Sequence, residues 1–415
     1  MCKASELEPN ILPPPHLERG YLAPWNDPSY GPIAEAFSRL PDAPVAHVIL
    51  VPHGKLGGSD YLSAVLAQSL SATGPTIIMR TDRSDWDKAD WYPDDVPAID
   101  LSKPLACTNA PVLALYSVLK RLNPKSIFTV NSRLGFEVIK QFGPQLNHYH
   151  RLYAYFFCAD MRADGFQTGY PVWYPGHILP SLDAAFFDTE VLRTTIIDRF
   201  AVPSQLHDRL LTMPSPARSS EFQDPVVHEQ LASQPSRERP KILWGGRLDR
   251  QKRFDLVVEI AKAMPHVDFC AWGQSVLETS APVRFLPSNL SLSPPFNSYS
   301  DLPLTACDGW LYTSAWDGLP TTLVDLATKG MPIVASSVGG VPELIDESTG
   351  WPVKEWGSVD AYTHSLSAML ADPEARRARA QQLQERAVKR HTRKAFDAKL
   401  REALEMPRGD HVDGL

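Results

Sequence analysis

Residues 309–343 read GWLYTSAWDGLPTTLVDLATKGMPIVASSVGGVPE. The stretch opens with apolar Trp310 to Tyr312, breaks at Trp316-Asp317-Gly318, resumes with helical periodicity from Thr321 to Lys329 and stops at Gly330. A second apolar run, Ile333 to Ala335, follows Pro332, and Gly339-Gly340 turns the chain into a short helix at Pro342. Strand, helix and strand in so few residues predict parallel strands joined by a right-handed crossover. The loop at Asp317 then lies at the carboxyl edge of a parallel sheet and at the amino end of a helix, where free amides suit phosphate. Seven residues separate Asp317 from Asp325. One carboxylate therefore sits on the loop and the other about two turns into the helix, so both can face one crevice.

Working upstream, Lys241 to Trp244 predicts a strand, Gly245-Gly246 a turn and Asp255 to Met264 a helix. Arg247 and Lys252 stand between them. Arg offers a planar fork and Lys a point charge, so the pair forms a cationic cradle for an anion; a solvated basic turn is the bland reading. Val267 to Trp272 predicts the next strand, ending in Gly273-Gln274-Ser275, and Asn289 to Leu292 another, followed by Pro294-Pro295-Phe296-Asn297.

The first half of the chain repeats this alternation. Val45 to Val51 predicts a strand, followed by the Gly57-Gly58 loop and a helix from Tyr61 to Leu70 with Ser59 or Asp60 as its N-cap. Paired glycines let backbone approach an anion, and a plain tight turn reads equally well. Strands follow at Thr76 to Arg80, Ser126 to Val130 and Arg151 to Cys158, with helices at Ala110 to Leu122 and Leu134 to Phe142. Asp85-Trp86-Asp87 has the form of a metal-diphosphate triplet, but its setting reads better as a solvated loop. His148 and His150 read as surface histidines, since no third ligand lies near. Leu182 to Phe187 is a short strand, and Asp188-Thr189-Glu190 caps a helix running to Phe200. Met213 to Pro240, rich in Pro, Ser and charge, reads as a linker. Beyond Trp351 the chain is expected to be helical, and Ala375 to Glu405 carries basic residues among Leu383, Val388, Phe396 and Leu400. Acidic residues are interspersed, so a solvated basic face with a packed apolar stripe is favoured over a membrane or nucleic-acid surface.

At 415 residues the chain suggests two domains, and a hydrophobic content of 43% with 21% charged residues is that of an ordinary globular protein. A formal charge of -7 gives no general attraction to nucleic acid or to an anionic membrane. Five scattered cysteines without CxxC spacing argue against a disulfide framework or a zinc site. No apolar run is long enough to span a bilayer, and the acidic, proline-bearing amino terminus is unlike a signal peptide. A cytoplasmic setting is expected, with the inner face of a membrane as the one surface contact left open.

Asp317-Gly318-Leu319-Pro320, Asp325-Leu326-Ala327, Gly330-Met331-Pro332-Ile333-Val334-Ala335 and Gly339-Gly340-Val341-Pro342-Glu343 together resemble the nucleotide-sugar signature of retaining family 4 glycosyltransferases. That family has Glu where this chain has Asp317 and Asp325. The resemblance implies the α/β GT-B fold, two Rossmann-like domains facing across a cleft with a C-terminal helix crossing back. Residues 1–44, of little periodicity, read as an arm and 223–239 as the linker, and the resemblance implies an acceptor-side domain (45–222), a nucleotide-sugar domain (240–385) and a returning helix (386–415). It also implies that Arg247 and Lys252 grip the donor diphosphate, that Asp317 holds the sugar hydroxyls and Asp325 the ribose hydroxyls. Gly57, Gly58, Gly246, Gly273, Gly318, Leu319 and Pro320 would line the donor. Where the family often has a histidine on the sugar, this chain offers Cys158, Asp160 or Arg162. The activity implied is hexose transfer from a nucleotide diphosphate sugar to a saccharide or lipid-linked acceptor in glycan (surface polysaccharide) biosynthesis, without metal or other cofactor and without a nucleic-acid partner. The shorter Asp pair leaves two alternatives: a nucleotide-sugar-binding scaffold of low activity, and a nucleotide-sugar epimerase of the same architecture.

Overall fold

The computed structural model describes residues 30–55, 57–218, 238–275, 285–296 and 298–407. Most of the expected arm (1–29), Leu56, most of the linker (223–237), Asn297 and the last residues of the expected returning helix (408–415) lie outside the described residues. The chain divides into two compact units, one ending at Ala154 and the other beginning at Tyr155.

In the first unit, helix α1 (Tyr30–Ser38) precedes β1 (His47–Val51), α2 (Gly58–Ser71), β2 (Thr76–Arg80), β3 (Ala98–Asp100), α3 (Ser102–Ala106), α4 (Pro111–Leu122), β4 (Ser126–Val130) and α5 (Arg133–Asn147). Strand β5 (Arg151–Phe156) straddles the division, and the sheet order to that point is β3-β2-β1-β4-β5. Strand β1 pairs in parallel with β2 and β4 and is buried on both faces, which is why its sequence, HVILV, shows no polar alternation. Sequence placed the α2 N-cap at Ser59 or Asp60. The structure corrects this: Gly57 is the cap, and Asp60, in the first turn, accepts the Lys55 amide at 3.0 Å and so closes the loop before the helix. The expected helix from Leu134 to Phe142 continues to Asn147, with non-helical torsions at Phe142 two residues before Pro144, whose ring cannot be accommodated in a straight helix.

In the second unit β8 (Ala184–Phe187) pairs in parallel with β9 (Leu210–Thr212); before them come a hairpin, β6 (Asp160–Met161) and β7 (Gln167–Thr168), and the short helices α6 (Tyr170–Trp173) and α7 (Pro175–Ile178). Helix α8 (Glu190–Arg199) follows β8, with the Thr189 hydroxyl accepting the Leu192 amide as a true N-cap. A second sheet comprises β10 (Lys241–Gly245), β11 (Asp268–Trp272), β12 (Leu290–Ser293), β13 (Gly309–Tyr312), β14 (Ile333–Ser336) and β15 (Trp351–Val353), ordered β12-β11-β10-β13-β14-β15 and parallel throughout. Strand β15 was expected to be helical. It is three residues long, too short for a periodicity to show.

Both sheets are of the doubly wound, Rossmann-like type. In the second, period-two alternation sends side chains to opposite faces. Leu243, Trp310, Tyr312 and Ile333 join a core with helix α10 (Thr321–Thr328), while Ile242, Trp244, Leu311 and Val334 join another with α9 (Phe254–Ala263) and α11 (Val359–Ala371). The expected single helix from Ala375 to Glu405 is two, α12 (Pro373–Arg390) and α13 (Arg393–Glu405), so residue 386 falls inside α12. The break follows from the Thr392 hydroxyl, which caps α13 by accepting the Ala395 amide, and from buried His391 bonding the Ser215 carbonyl at 2.8 Å. Leu383, Phe396 and Leu400 are buried as expected, whereas Val388 is exposed. Lys399 Nζ donates to the Thr212 carbonyl at 2.7 Å, so the last helix returns to strand β9.

Candidate active site

Strand order in the second sheet reverses between β10 and β13, and both strands end at the same edge. This is the topological switch point, where open α/β sheets hold ligands. Gly245-Gly246 leaves β10 there. The Gly246 amide donates to the Trp272 carbonyl at 3.0 Å, and a Cβ placed on Gly273 would stand 2.0 Å from the Gly246 oxygen. Only glycine lets these two turns touch, and no side chain covers their backbone at the contact.

After the turn, Asp249 is buried and organises the cations. Its carboxylate accepts the Lys252 amide at 3.0 Å and lies 3.3 Å from Arg247 Nε. The far end of Arg247 donates to Gln251 Oε1 at 2.5 Å, and Gln251 in turn donates to the Trp316 carbonyl at 3.0 Å. Lys252 Nζ reaches Asp317 Oδ2 at 2.5 Å, and the Tyr312 hydroxyl donates to the same oxygen at 2.5 Å. Asp317 Oδ1 accepts the Gly318 amide at 3.1 Å. The cationic turn and the Asp317 loop, expected from sequence to converge, do meet.

The Asp317 loop is packed at backbone contact. A Cβ on Gly318 would lie 2.2 Å from Asp188 Oδ2, one on Gly339 1.8 Å from the Asp317 carbonyl, and one on Gly340 2.1 Å from the Thr189 methyl. Gly339 has φ +50°, a torsion that itself favours glycine. Leu319 donates its amide to Asp188, and Pro320 is the N-cap of α10.

Asp188 is the residue whose role sequence reading underrated, placing it only in a helix cap. It is buried, and burial pushes its carboxyl up to about 7, with the Leu319 amide opposing that rise and the nearby Asp317 and Glu343 charges adding to it. Its position directly after a parallel strand was the available signal. Cys158 touches the same loop; burial, then Asp317 and Asp188, push its thiol well above its ordinary range, so it is a neutral contact. Asp160 accepts Trp316 Nε1 at 3.1 Å, and Arg162 pairs with Asp164 at 2.7 Å on the hairpin.

Asp325 departs from the expectation that both aspartates face one crevice. It has no exposed surface; Oδ1 accepts the Arg218 amide at 3.0 Å, and Oδ2 accepts Arg218 Nε at 2.8 Å and the Tyr299 hydroxyl at 3.0 Å. Burial raises its carboxyl, and Arg218 works against that rise.

Gly57 and Gly58 lie in the other unit, as cap and first residue of α2. There His53 Nδ1 is 3.3 Å from Asp60 Oδ1 and Lys55 pairs with Asp85 at 3.3 Å. Trp86 stacks on Tyr92 and under Arg80, so the Asp85-Trp86-Asp87 triplet is a packed loop. Among the described residues no three His, Cys, Asp or Glu side chains gather as metal ligands, and no helix is long and apolar enough to cross a membrane.

The two doubly wound, Rossmann-like sheets make this the GT-B fold, and in the second sheet the switch point carries glycine turns, two cations and a carboxylate. Residues 228–386 match the family described as "Glycosyl transferases group 1". No curated protein matches the chain in sequence. Among similar solved structures is the sucrose-phosphate synthase of Thermosynechococcus elongatus, 16% identical with TM-score 0.67, covering 86% of this chain and 98% of that one. Anabaena HepE, solved with UDP and glucose, is 14% identical with TM-score 0.65, covering 88% of this chain and 100% of that one. A TarM variant from S. aureus, in complex with fondaparinux, alpha-GlcNAc-glycerol and UDP, is 10% identical with TM-score 0.66, covering 87% of this chain and 100% of that one. At these identities the likeness establishes the fold.

Proposed function

We propose that this protein is a retaining hexosyltransferase that moves a sugar from a nucleotide diphosphate donor to a hydroxyl of a saccharide or lipid-linked acceptor, in glycan biosynthesis. The observation that carries this is the Lys252–Asp317 contact at the switch point, beside the Gly246 and Gly273 turns. Lys252 is charge-compensated by Asp317. A donor diphosphate draws Lys252 away, and Arg247 joins it; the freed Asp317 carboxylate then accepts sugar hydroxyls. Fixed positive charge at the departing diphosphate lowers the barrier where negative charge grows.

As the anomeric carbon–oxygen bond breaks, the acceptor oxygen attacks from the same face, and a leaving phosphate oxygen takes its proton. The chain's cations supply the charge that a metal would otherwise bring, so transfer without added metal is part of the proposal. HepE and TarM were solved with UDP, which makes UDP-sugars the first donors to try.

The test is nucleotide release and glycan product across UDP-, GDP- and ADP-hexoses, with and without oligosaccharide acceptors and with chelator present. Acceptor-dependent release is expected. Binding without turnover would identify a scaffold, and donor conversion without acceptor an epimerase.

A further inference from the structure

Asp325 was expected to hold the ribose hydroxyls, yet a carboxylate with no exposed surface and three donors already in place has nothing to offer a ligand. What reaches solvent at this point is its partner: the Arg218 side chain keeps 26% of its surface. Its guanidinium is fixed from three directions. Nε donates to Asp325, Nη2 donates to the Tyr299 hydroxyl at 3.1 Å, and Cζ lies 5.1 Å from the centroid of the Tyr299 ring. Among the described residues, Nη1 has no hydrogen-bond partner.

A wall of aromatic rings joins this guanidinium to the glycine cradle. Tyr299 packs against Phe296 with centroids 5.3 Å apart, and a Cβ on Gly245 would stand 3.0 Å from the Phe296 ring. Arg218 is thus built into the side of the cradle, on the same wall as the turn that would carry the diphosphate.

We propose that Arg218 is the residue that holds the ribose of the donor nucleotide, and that Asp325 and Tyr299 are positioning residues acting through it. This rests on the donor reading given above. The chemistry differs from that of an open carboxylate: a carboxylate accepts from the ribose hydroxyls, whereas a guanidinium only donates, to ribose oxygens. A sugar oxygen therefore serves as acceptor here, and a 2′- or 3′-phosphate on the ribose would be welcomed rather than repelled.

Calorimetric titration with UDP, GDP, ADP and inorganic pyrophosphate, on wild type, Arg218→Met and Arg218→Lys, tests it. Hydrogen bonds from a charged donor contribute about 1.5–3 kcal/mol, so Arg218→Met should lose roughly 10- to 100-fold in affinity for the preferred nucleotide, with Arg218→Lys intermediate. Pyrophosphate, which lacks a nucleoside, should bind wild type and Arg218→Met alike; this also shows that the variant cradle is folded. Equal or tighter nucleotide binding by Arg218→Met would overturn the inference, because Arg218 would then be a cover that leaves when ribose meets Asp325. Loss of pyrophosphate binding together with nucleotide binding would overturn it as well, by showing a general structural role. If wild type binds none of the four ligands, the donor reading itself falls and this inference with it.

Discussion

Lys252 and Asp317, sixty-five residues apart in sequence, share a contact of 2.5 Å that joins the turn after β10 to the loop after β13. Parallel strands side by side bring their carboxyl ends together, and these two loops are the first things the chain places there. Each partner compensates the charge of the other.

Removing either partner should therefore give opposite results with nucleotide alone. Lys252→Met loses affinity for a nucleoside diphosphate, while Asp317→Asn gains it, because Lys252 is released. Both should lose transfer from a nucleotide sugar, by about 100- to 1,000-fold for Lys252→Met. Titration of the nucleotide and steady-state transfer rates check the pattern; undiminished nucleotide affinity in Lys252→Met would remove the lysine from the cradle.

Packing of the glycine turns is testable without any ligand. Gly273→Ala would put a methyl 2.0 Å from the Gly246 carbonyl, a backbone atom that cannot step aside, and should cost about 1–3 kcal/mol. Gly357→Ala has nothing within 4 Å and should leave stability unchanged or raise it by about 0.4–1 kcal/mol. Denaturant midpoints of the two variants would show whether the turn contact is as tight as described.

Asp188 predicts a pH dependence. Burial raises its carboxyl from 3.8 to about 7, so between these values the folded chain holds a proton that the unfolded chain has released. Stability from this group is full below pH 3.8 and is lost as pH rises through 7. Asp188→Asn keeps an oxygen for the Leu319 amide but cannot ionise. It should match wild type near pH 4 and be more stable above pH 7, by roughly 1–3 kcal/mol. Burial lowers His47 and His391 to about 4, which weakens both proteins alike in acid, and the difference between them isolates Asp188. Identical urea midpoints at pH 8 would mean that Asp188 ionises without penalty.

Much of this fold was legible because its strands are short apolar runs set off by glycine and proline. Trp310 to Tyr312, Ile333 to Ala335 and Lys241 to Trp244 lie within β13, β14 and β10. Arg247, Lys252 and Asp317 could be placed together because the family resemblance assigns them to one donor, and loops at the same edge of a parallel sheet are able to meet. What failed depended on side chains that sequence spacing does not reach. Asp325 has the expected helical position, but whether it is open depends on Arg218, whose side chain comes from a segment 107 residues away. The Thr392 cap split a helix whose charge pattern runs on without interruption. Asp60 closes its loop through one hydrogen bond to Lys55, and nothing in the periodicity of α2 announces it.

The crowding at Gly339 and Gly340 limits how this fold could be re-engineered. Neither residue leaves space for a side chain, so the Asp317 carbonyl and the Thr189 methyl rest on bare backbone. Swapping this loop for one of another sequence would move the Asp317 carboxylate and loosen the cap of α8 in the same stroke. Substitutions are better directed to side chains that keep exposed surface, such as Arg218, than to these glycines.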